Sequence, residues 1–188
     1  MLAQQAVDGK SNEITAIPEL LDMLNLKGAI VSIDAMGTQK EIARRIVDKG
    51  ADYVLALKGN QTSLHEDTSL FFADSVLAAS CAHTQDTDAG HGRIEERSCR
   101  AAEAGWLPER HPDWKGLRSI AAVTARRIDK KTGRESLETR YFITSLEPIP
   151  RPFSPQCAPI AGSRAISIGR WTRPSTKTAA EPEKTPRR

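Results

Sequence analysis

The feature that most constrains the fold is a pair of short apolar runs separated by one helix-length segment. Residues 29–33 and 53–57 are almost wholly apolar, which is typical of strands buried on both faces of a sheet. Between them, Thr38 and Glu41 have the spacing of a capping box that opens a helix, and Gly50 is well placed to end it. A strand, a helix and a strand with short connections predict a βαβ unit with parallel strands. The sequence therefore predicts an α/β fold.

Each predicted strand ends in a polar residue, Asp34 after the first and Lys58 after the second. The carboxyl ends of parallel strands meet at one edge of the sheet, where open α/β folds place their ligands. A carboxylate held there suits a hard cation such as Mg²⁺. The alternative is that Asp34 only caps the turn at residues 35–37.

Two further groups of residues are candidates for contacts with nucleic acid. Lys58 and Asn60 lie just before a predicted helix N-terminus, which offers backbone N–H groups to a phosphate, although a solvated turn explains them as well. Arg93 and Arg97 have the chemistry to contact a DNA phosphate, but a strand with a salt-bridged polar face explains both equally.

After Asn60 the pattern changes from alternating α and β to mainly β. Ser63 and Glu66 form a second capping box for a helix that runs towards Leu77, and residues 80–116 are irregular. Residues 117–128 and 137–146 predict two strands of a β-hairpin.

The last part of the chain differs in composition from the rest. Residues 151–188 hold eight Lys or Arg, two Glu and six of the eleven prolines, for a net charge of +6. With no apolar periodicity to build a core, residues 148–188 are predicted to form a disordered basic tail. Such a tail attracts DNA non-specifically through its phosphates.

Composition and location add broad limits. A hydrophobic content of 39% and a charged content of 27% fit a globular protein. No apolar run approaches the roughly 20 residues that cross a bilayer, so no membrane partner is expected. Three widely spaced cysteines imply neither a disulfide framework nor a zinc ribbon. We expect a cytoplasmic protein. From the residues alone, a metal-dependent phosphoryl-transfer enzyme and a signalling receiver module both remain possible.

Six blocks of sequence, in one order, carry a resemblance to a known family. The blocks are residues 10–21 (KSNEITAIPELL), 28–37 (GAIVSIDAMG), 50–61 (GADYVLALKGNQ), 90–95 (GHGRIE), 106–112 (WLPERHP) and 138–146 (ETRYFITSL). Together they resemble DDE insertion-sequence transposases of the ISAs type, over roughly residues 5–147. Several long blocks in the same order favour this family over the receiver module.

The resemblance implies an RNase H-like fold and DNA transposition by metal-dependent phosphodiester cleavage and strand transfer. In such a fold two Asp and one Glu hold a pair of Mg²⁺ or Mn²⁺ ions. Asp34 stands where the family has its second catalytic Asp. Residues 1–61 would then be a partial catalytic core, and residues 62–147 a helix plus a β-rich insertion. DNA and intact transposase protomers are the implied partners.

Two departures from the family pattern predict an inactive fragment. Asp8-Gly9-Lys10 imitates the motif of the first catalytic Asp, but it directly abuts a block that normally lies downstream of it, so we reject Asp8 as that acid. The tail lacks the helix with the catalytic Glu. Reading residues 158–188 in a shifted frame can give a His-Cys-Gly-Ile-Glu segment, which suggests a frameshift near residues 148–152. The alternative function is a non-catalytic DNA-binding or regulatory fragment that interferes with intact transposase.

Overall fold

The computed structural model describes residues 10–90, 92–148 and 164–168, and the side chains of residues 16–89, 92–148 and 165–168. The helices are α1 (Lys10–Met23), α2 (Lys40–Asp48), α3 (Thr62–Ala73), α4 (Ser75–Ala79) and α5 (Leu107–Arg110), with a 3₁₀ turn at Gly59–Gln61. The strands are β1 (Ala29–Ile33), β2 (Asp52–Leu57), β3 (Ala82–Gly90), β4 (Arg93–Glu103), β5 (Ser119–Asp129), β6 (Glu135–Thr144) and β7 (Arg164–Ile168).

The described strands form one seven-stranded mixed sheet in the order β3-β4-β5-β6-β2-β1-β7. β1 and β2 are parallel, with Ile33 level with Leu55, and α2 connects them. The predicted α/β fold and its parallel βαβ unit are therefore confirmed. The strands after α3 do not form a separate sheet, because β6 pairs antiparallel with β2 and extends the same sheet.

One face of the sheet carries the main core. Alternate residues of β1 and β2 are buried there. The prediction that these strands are buried on both faces is therefore wrong, because only one face of the sheet here is covered by helices. Helix residues that pack into the same core include Leu21, Ile42, Ile46, Leu64 and Phe72. The opposite face holds a smaller cluster, made of sheet residues such as Ala121 and Phe142. The helices therefore fix the position of β1 and β2 from one side.

Both predicted capping boxes are wrong. The residue before α2 is Gln39, with no side-chain capping bond, and Ser63 lies inside α3. α3 ends at Ala73 rather than continuing to Leu77, because the Asp74 side chain accepts hydrogen bonds from the N–H groups of Val76 and Leu77 and so caps a separate helix, α4.

The predicted hairpin of β5 and β6 is confirmed, and residues 80–116 contain a second hairpin, β3 and β4, that the sequence did not predict.

Both hairpins point past the carboxyl edge of β1 and β2. The last pair between β2 and β6 joins Leu57 to Tyr141, so the six residues 135–140 of β6 continue beyond the end of β2. At about 3.3 Å per residue this is a projection of roughly 20 Å.

Five residues of the predicted disordered tail form a strand. β7 pairs parallel with β1, from Ala29 opposite Arg164 to Ile33 opposite Ile168. Ile166 and Ile168 are buried, and the Ser167 hydroxyl lies 2.8 Å from that of Ser32. For residues 164–168 the prediction of disorder is wrong, because an alternating Ile pattern can pair with the outer edge of β1. Asp8 and the rest of the tail after Pro148 lie outside the described residues.

Candidate functional site at the carboxyl edge of the sheet

Asp34 is the first residue after β1 and is half-buried. Its Oδ1 accepts a hydrogen bond from the N–H of Gly37 at 3.2 Å, so the carboxylate closes the turn that leads towards α2. This is the turn-capping contact that the sequence allowed as an alternative role. A capping contact to one oxygen leaves the second oxygen for another partner.

Gly37 fixes how closely this turn approaches the core. A Cβ at this position would lie 2.5 Å from Cγ2 of Ile33 and 2.7 Å from Cδ1 of Ile17. Both distances are shorter than van der Waals contact, so a larger residue would push the turn outwards. The glycine therefore sets the position of the N–H that holds Asp34.

Thr38 joins the ends of the two parallel strands. It is fully buried, and its Oγ1 lies 3.0 Å from the Asp34 carbonyl oxygen and 2.7 Å from the Ala56 carbonyl oxygen. Its hydroxyl thus serves the strand ends rather than a helix cap. A single hydroxyl proton is shared between these two acceptors.

The loop after β2 adds two more links to the loop after β1. The Asn60 side-chain N–H donates to the Ala35 carbonyl at 2.9 Å, and the Gln61 side-chain N–H donates to the Thr38 carbonyl at 3.0 Å. Asn60, predicted to contact nucleic acid, therefore has a clear structural role. Together with Thr38, these bonds hold the segment around Asp34 against the end of β2.

The other two predicted nucleic-acid contacts lie at very different places. Lys58 is exposed directly after β2, and Asp34 directly follows Ile33, which is level with Leu55 of β2. Arg93 is exposed at the start of β4, next to the tip of a hairpin. It pairs in register with Asp129. The residue of β4 that is level with Leu57, at the end of β2, is Arg100. Arg93 therefore lies seven residues, or about 23 Å, beyond the end of β2. Lys58 and Asp34 thus lie at the same edge of the sheet, and Arg93 lies far from that edge.

The two hairpins, β3–β4 and β5–β6, together form a β-ribbon. The arginines of this ribbon that lie farther from its tips belong to a salt-bridged face. The Arg97 guanidinium lies 2.9 Å from Glu95, and Arg127 lies 3.3 Å from the same carboxylate. Partial burial disfavours the charged form of Glu95, but hydrogen bonds and positive charge from Arg97 and Arg127 outweigh it and hold the pKa of this carboxyl below its usual value. Of the two roles open for Arg97, the structure supports the salt bridge.

The donor set of a two-metal site is incomplete among the described residues. No group of three or more His, Cys, Asp or Glu side chains in that part of the chain is arranged to hold a metal ion. Asp34 alone does not fit a two-metal site, which needs several carboxylates around both ions. The described residues thus supply one candidate ligand.

One close pair of ionisable groups was not found from the sequence. Nε2 of His111 lies 2.8 Å from Oδ2 of Asp67, and Arg110 lies 3.3 Å from the other oxygen. His111 directly follows α5 and Asp67 lies on α3, so the pair ties these elements together. The two residues are 44 positions apart, so no local spacing reveals them.

Fold and site together define a class: an α/β protein with a carboxylate at the carboxyl edge of a parallel strand pair and a β-ribbon that projects past that edge. The family model described as "Transposase DDE domain" matches residues 1–148. The chain belongs to this family of DDE transposases, whose members generally use divalent metal ions and act on DNA.

Individual relatives include two proteins named as putative transposases. The chain is 46% identical over 146 residues to the "Uncharacterized protein in dhlA 3'region" of Xanthobacter autotrophicus, covering 77% of this chain and 48% of that protein. It is 41% identical over 150 residues to "Putative transposase YncI" of Escherichia coli O157:H7, covering 77% and 38%. It is 37% identical over 159 residues to "H repeat-associated putative transposase YhhI" of Escherichia coli K12, covering 78% and 40%. The chain thus spans less than half the length of these relatives.

Two further findings add little to the identification. A sugar N-methyltransferase from a Streptoalloteichus species matches with a TM-score of 0.25 and 9% identity, over 76% of this chain and 83% of that one, and carries no argument at that score. No helix in the described part of the chain is long and apolar enough to cross a membrane.

Proposed function

We propose that this chain is part of the RNase H-like catalytic core of an ISAs-type insertion-sequence transposase, with Asp34 as one of its metal-binding carboxylates. The observation that carries the proposal is the position of Asp34 directly after β1, whose last residue, Ile33, is level with Leu55 of the parallel neighbour β2. Carboxylates at this edge of an α/β sheet lie where the fold places its ligands. Divalent ions bound there would stabilise the attacking and leaving oxygens of a DNA phosphodiester.

The chain's own residues would act mainly by positioning. Gly37 and Thr38 hold the Asp34 segment, and Asn60 fastens it to the loop after β2. Lys58, exposed at the same edge, is the residue we propose to neutralise a DNA phosphate charge. A rigid support of this kind keeps the Asp34 carboxylate in one orientation.

We propose that the isolated chain of 188 residues does not catalyse strand transfer. Two-metal chemistry needs several carboxylates, and in the described part of the chain no group of three or more His, Cys, Asp or Glu side chains could hold a metal ion. The second candidate function is a non-catalytic one, in which the fragment binds DNA or intact transposase protomers and interferes with transposition. The observation that favours it is the basic tail, whose net charge of +6 suits DNA phosphates.

An assay of the purified chain tests this proposal. With Mg²⁺ or Mn²⁺ and duplexes that carry the ends of the element, we expect no strand transfer and no cleavage above the metal-only background. Gel analysis of labelled duplexes measures both products. Metal-dependent cleavage that the substitution Asp34→Ala abolishes would contradict the proposed inactivity while supporting the role of Asp34.

We also propose that the tail derives from a shifted reading frame. The nucleotide sequence across codons 140–188 tests this proposal. The DNA on either side also gives the ends of the element that the cleavage assay needs. We expect a shifted frame that encodes the His-Cys-Gly-Ile-Glu segment after residue 157. A shifted frame that encodes no such segment would show that the tail is native to this protein.

A further inference from the structure

The tips of the two hairpins carry a concentration of positive charge. The tip patch consists of Arg93 at the start of β4 and Lys130, Lys131 and Arg134 around the turn between β5 and β6. All four side chains are exposed. The register joins the two hairpins here, because Arg93 is level with Asp129 and Lys130 donates its backbone N–H to the Gly92 carbonyl at 2.9 Å. The four cations therefore lie on one continuous end of the sheet.

These cations differ from the arginines deeper in the ribbon. Arg97, Arg126, Arg127 and Arg140 each make an ion pair with a glutamate. None of the four tip-patch cations has an acidic group within ion-pair distance among the residues that the structure describes. Among these residues, the arginines in ion pairs thus lie along the body of the ribbon, and the cations without an ion-pair partner lie at its tips.

Asp129 and Glu135, the described acids nearest the turn between β5 and β6, are already engaged. Oδ1 of Asp129 accepts the backbone N–H groups of Lys131 and Thr132, at 2.9 Å and 2.8 Å, and closes the turn. Those bonds, with a smaller contribution from the positive charge of Arg93, hold the pKa of Asp129 below its usual value. Glu135 makes a two-oxygen contact with Arg126. Neither acid pairs with a tip-patch side chain, so the patch remains net positive.

The position of the patch relates it to the candidate catalytic edge. The ribbon projects roughly 20 Å beyond the end of β2, on the side where Asp34 and Lys58 lie. At 3.4 Å per base pair, that length corresponds to about six base pairs of duplex DNA. A duplex that reaches Asp34 and runs along the ribbon would bring its phosphates to the tips.

We propose that the tip patch is a docking surface for the phosphate backbone of duplex DNA. It would hold the DNA about six base pairs from the site of cleavage, without reading its sequence. This inference rests on the proposed function, since it takes DNA as the substrate, but it concerns binding rather than the chemistry at Asp34. Exposed arginine and lysine side chains that lack acidic partners bind an anion without first breaking an ion pair.

The test measures the salt dependence of DNA binding by the full chain. Fluorescence anisotropy with a labelled 30-base-pair duplex of mixed sequence, in KCl from about 50 to 200 mM, gives the slope of log affinity against log salt. The loss of two phosphate contacts reduces the magnitude of this negative slope by about 2. At about 50 mM KCl we expect the affinity for DNA to fall roughly tenfold or more. We expect this for Lys130→Gln with Lys131→Gln, and equally for Arg93→Gln with Arg134→Gln.

A matched variant controls for charge alone. Lys27→Gln with Lys115→Gln removes the same charge at the opposite edge of the sheet: Lys27 precedes β1, and Lys115 pairs with Asp48 at the end of α2. We expect its slope and affinity to match the unmodified chain. Thermal melts of all three variants check that each is folded.

The outcomes separate failure of this inference from failure of the proposed function. If both tip variants bind DNA with the slope of the unmodified chain, the docking surface is wrong, while the role of Asp34 stands or falls on its own assay. If the control variant loses as much slope as the tip variants, the patch is not a localised surface. If the tip variants lose affinity for polyglutamate but keep the affinity of the unmodified chain for DNA, the partner is an acidic protein segment and the inference is overturned.

Discussion

Asp34→Asn is expected to abolish transposition by a chimera that carries residues 1–148 of this chain. The host is a full-length relative that is itself active in a transposition assay, with the chain replacing the segment it aligns with. The asparagine keeps the size of the side chain and its capping bond to Gly37, but it removes the negative charge that a divalent ion needs. We expect the transposition frequency to fall by roughly 1000-fold or more, which corresponds to about 4 kcal/mol in the barrier.

The control for this chimera is Asp48→Asn. Asp48 is the last residue of α2, half-exposed and paired with Lys115, and exposed pairs of this kind contribute at most about 1 kcal/mol to stability. This variant should transpose at the frequency of the unmodified chimera. If Asp34→Asn retains a frequency within tenfold of the control, with equal protein levels on an immunoblot, Asp34 is not one of the catalytic carboxylates.

The part of the fold around Asp34 was predictable because its signals are local. The largely apolar run of residues 29–33 gives β1 with both ends correct, because its alternate side chains Ala29, Val31 and Ile33 fill the core face of the sheet. β3 was missed because it lies at the edge of the sheet, and its sequence, AHTQDTDAG, is polar. Polar and charged side chains are what protect an edge strand from pairing with other chains. The pattern that hides the strand is thus a consequence of its place in the sheet.

The contacts within the site depend on tertiary structure and were not predictable. The sequence favoured a capping box for Thr38, because its spacing to Glu41 fits that motif. In the fold, its hydroxyl lies 2.7 Å from the carbonyl of Ala56, 18 residues away, and only the pairing of β1 with β2 creates this contact. Asn60 was predicted as a DNA contact for a similar reason. Its bond to Ala35 joins two loops that are brought together by parallel strands.

Thr38→Val is expected to lower the free energy of unfolding by about 1–2 kcal/mol. Valine keeps the shape of the side chain and removes the hydroxyl, so the carbonyl groups of Asp34 and Ala56 lose a buried donor. A buried polar group left without its partner costs about 1–3 kcal/mol. Urea unfolding of the full chain, followed by circular dichroism, measures the change.

Thr68→Val is the matched control. Thr68 is also fully buried, but its hydroxyl donates within α3 to the Leu64 carbonyl at 2.8 Å, an acceptor that lies one helical turn before it. That carbonyl keeps its backbone partner in the helix, so we expect a loss of only a few tenths of a kcal/mol. Equal losses in the two variants would show that the Thr38 hydroxyl is not what joins the strand ends. A larger loss for Thr38→Val would show that the hydrogen bond from Thr38 to the Ala56 carbonyl of β2 stabilises the segment that carries Asp34.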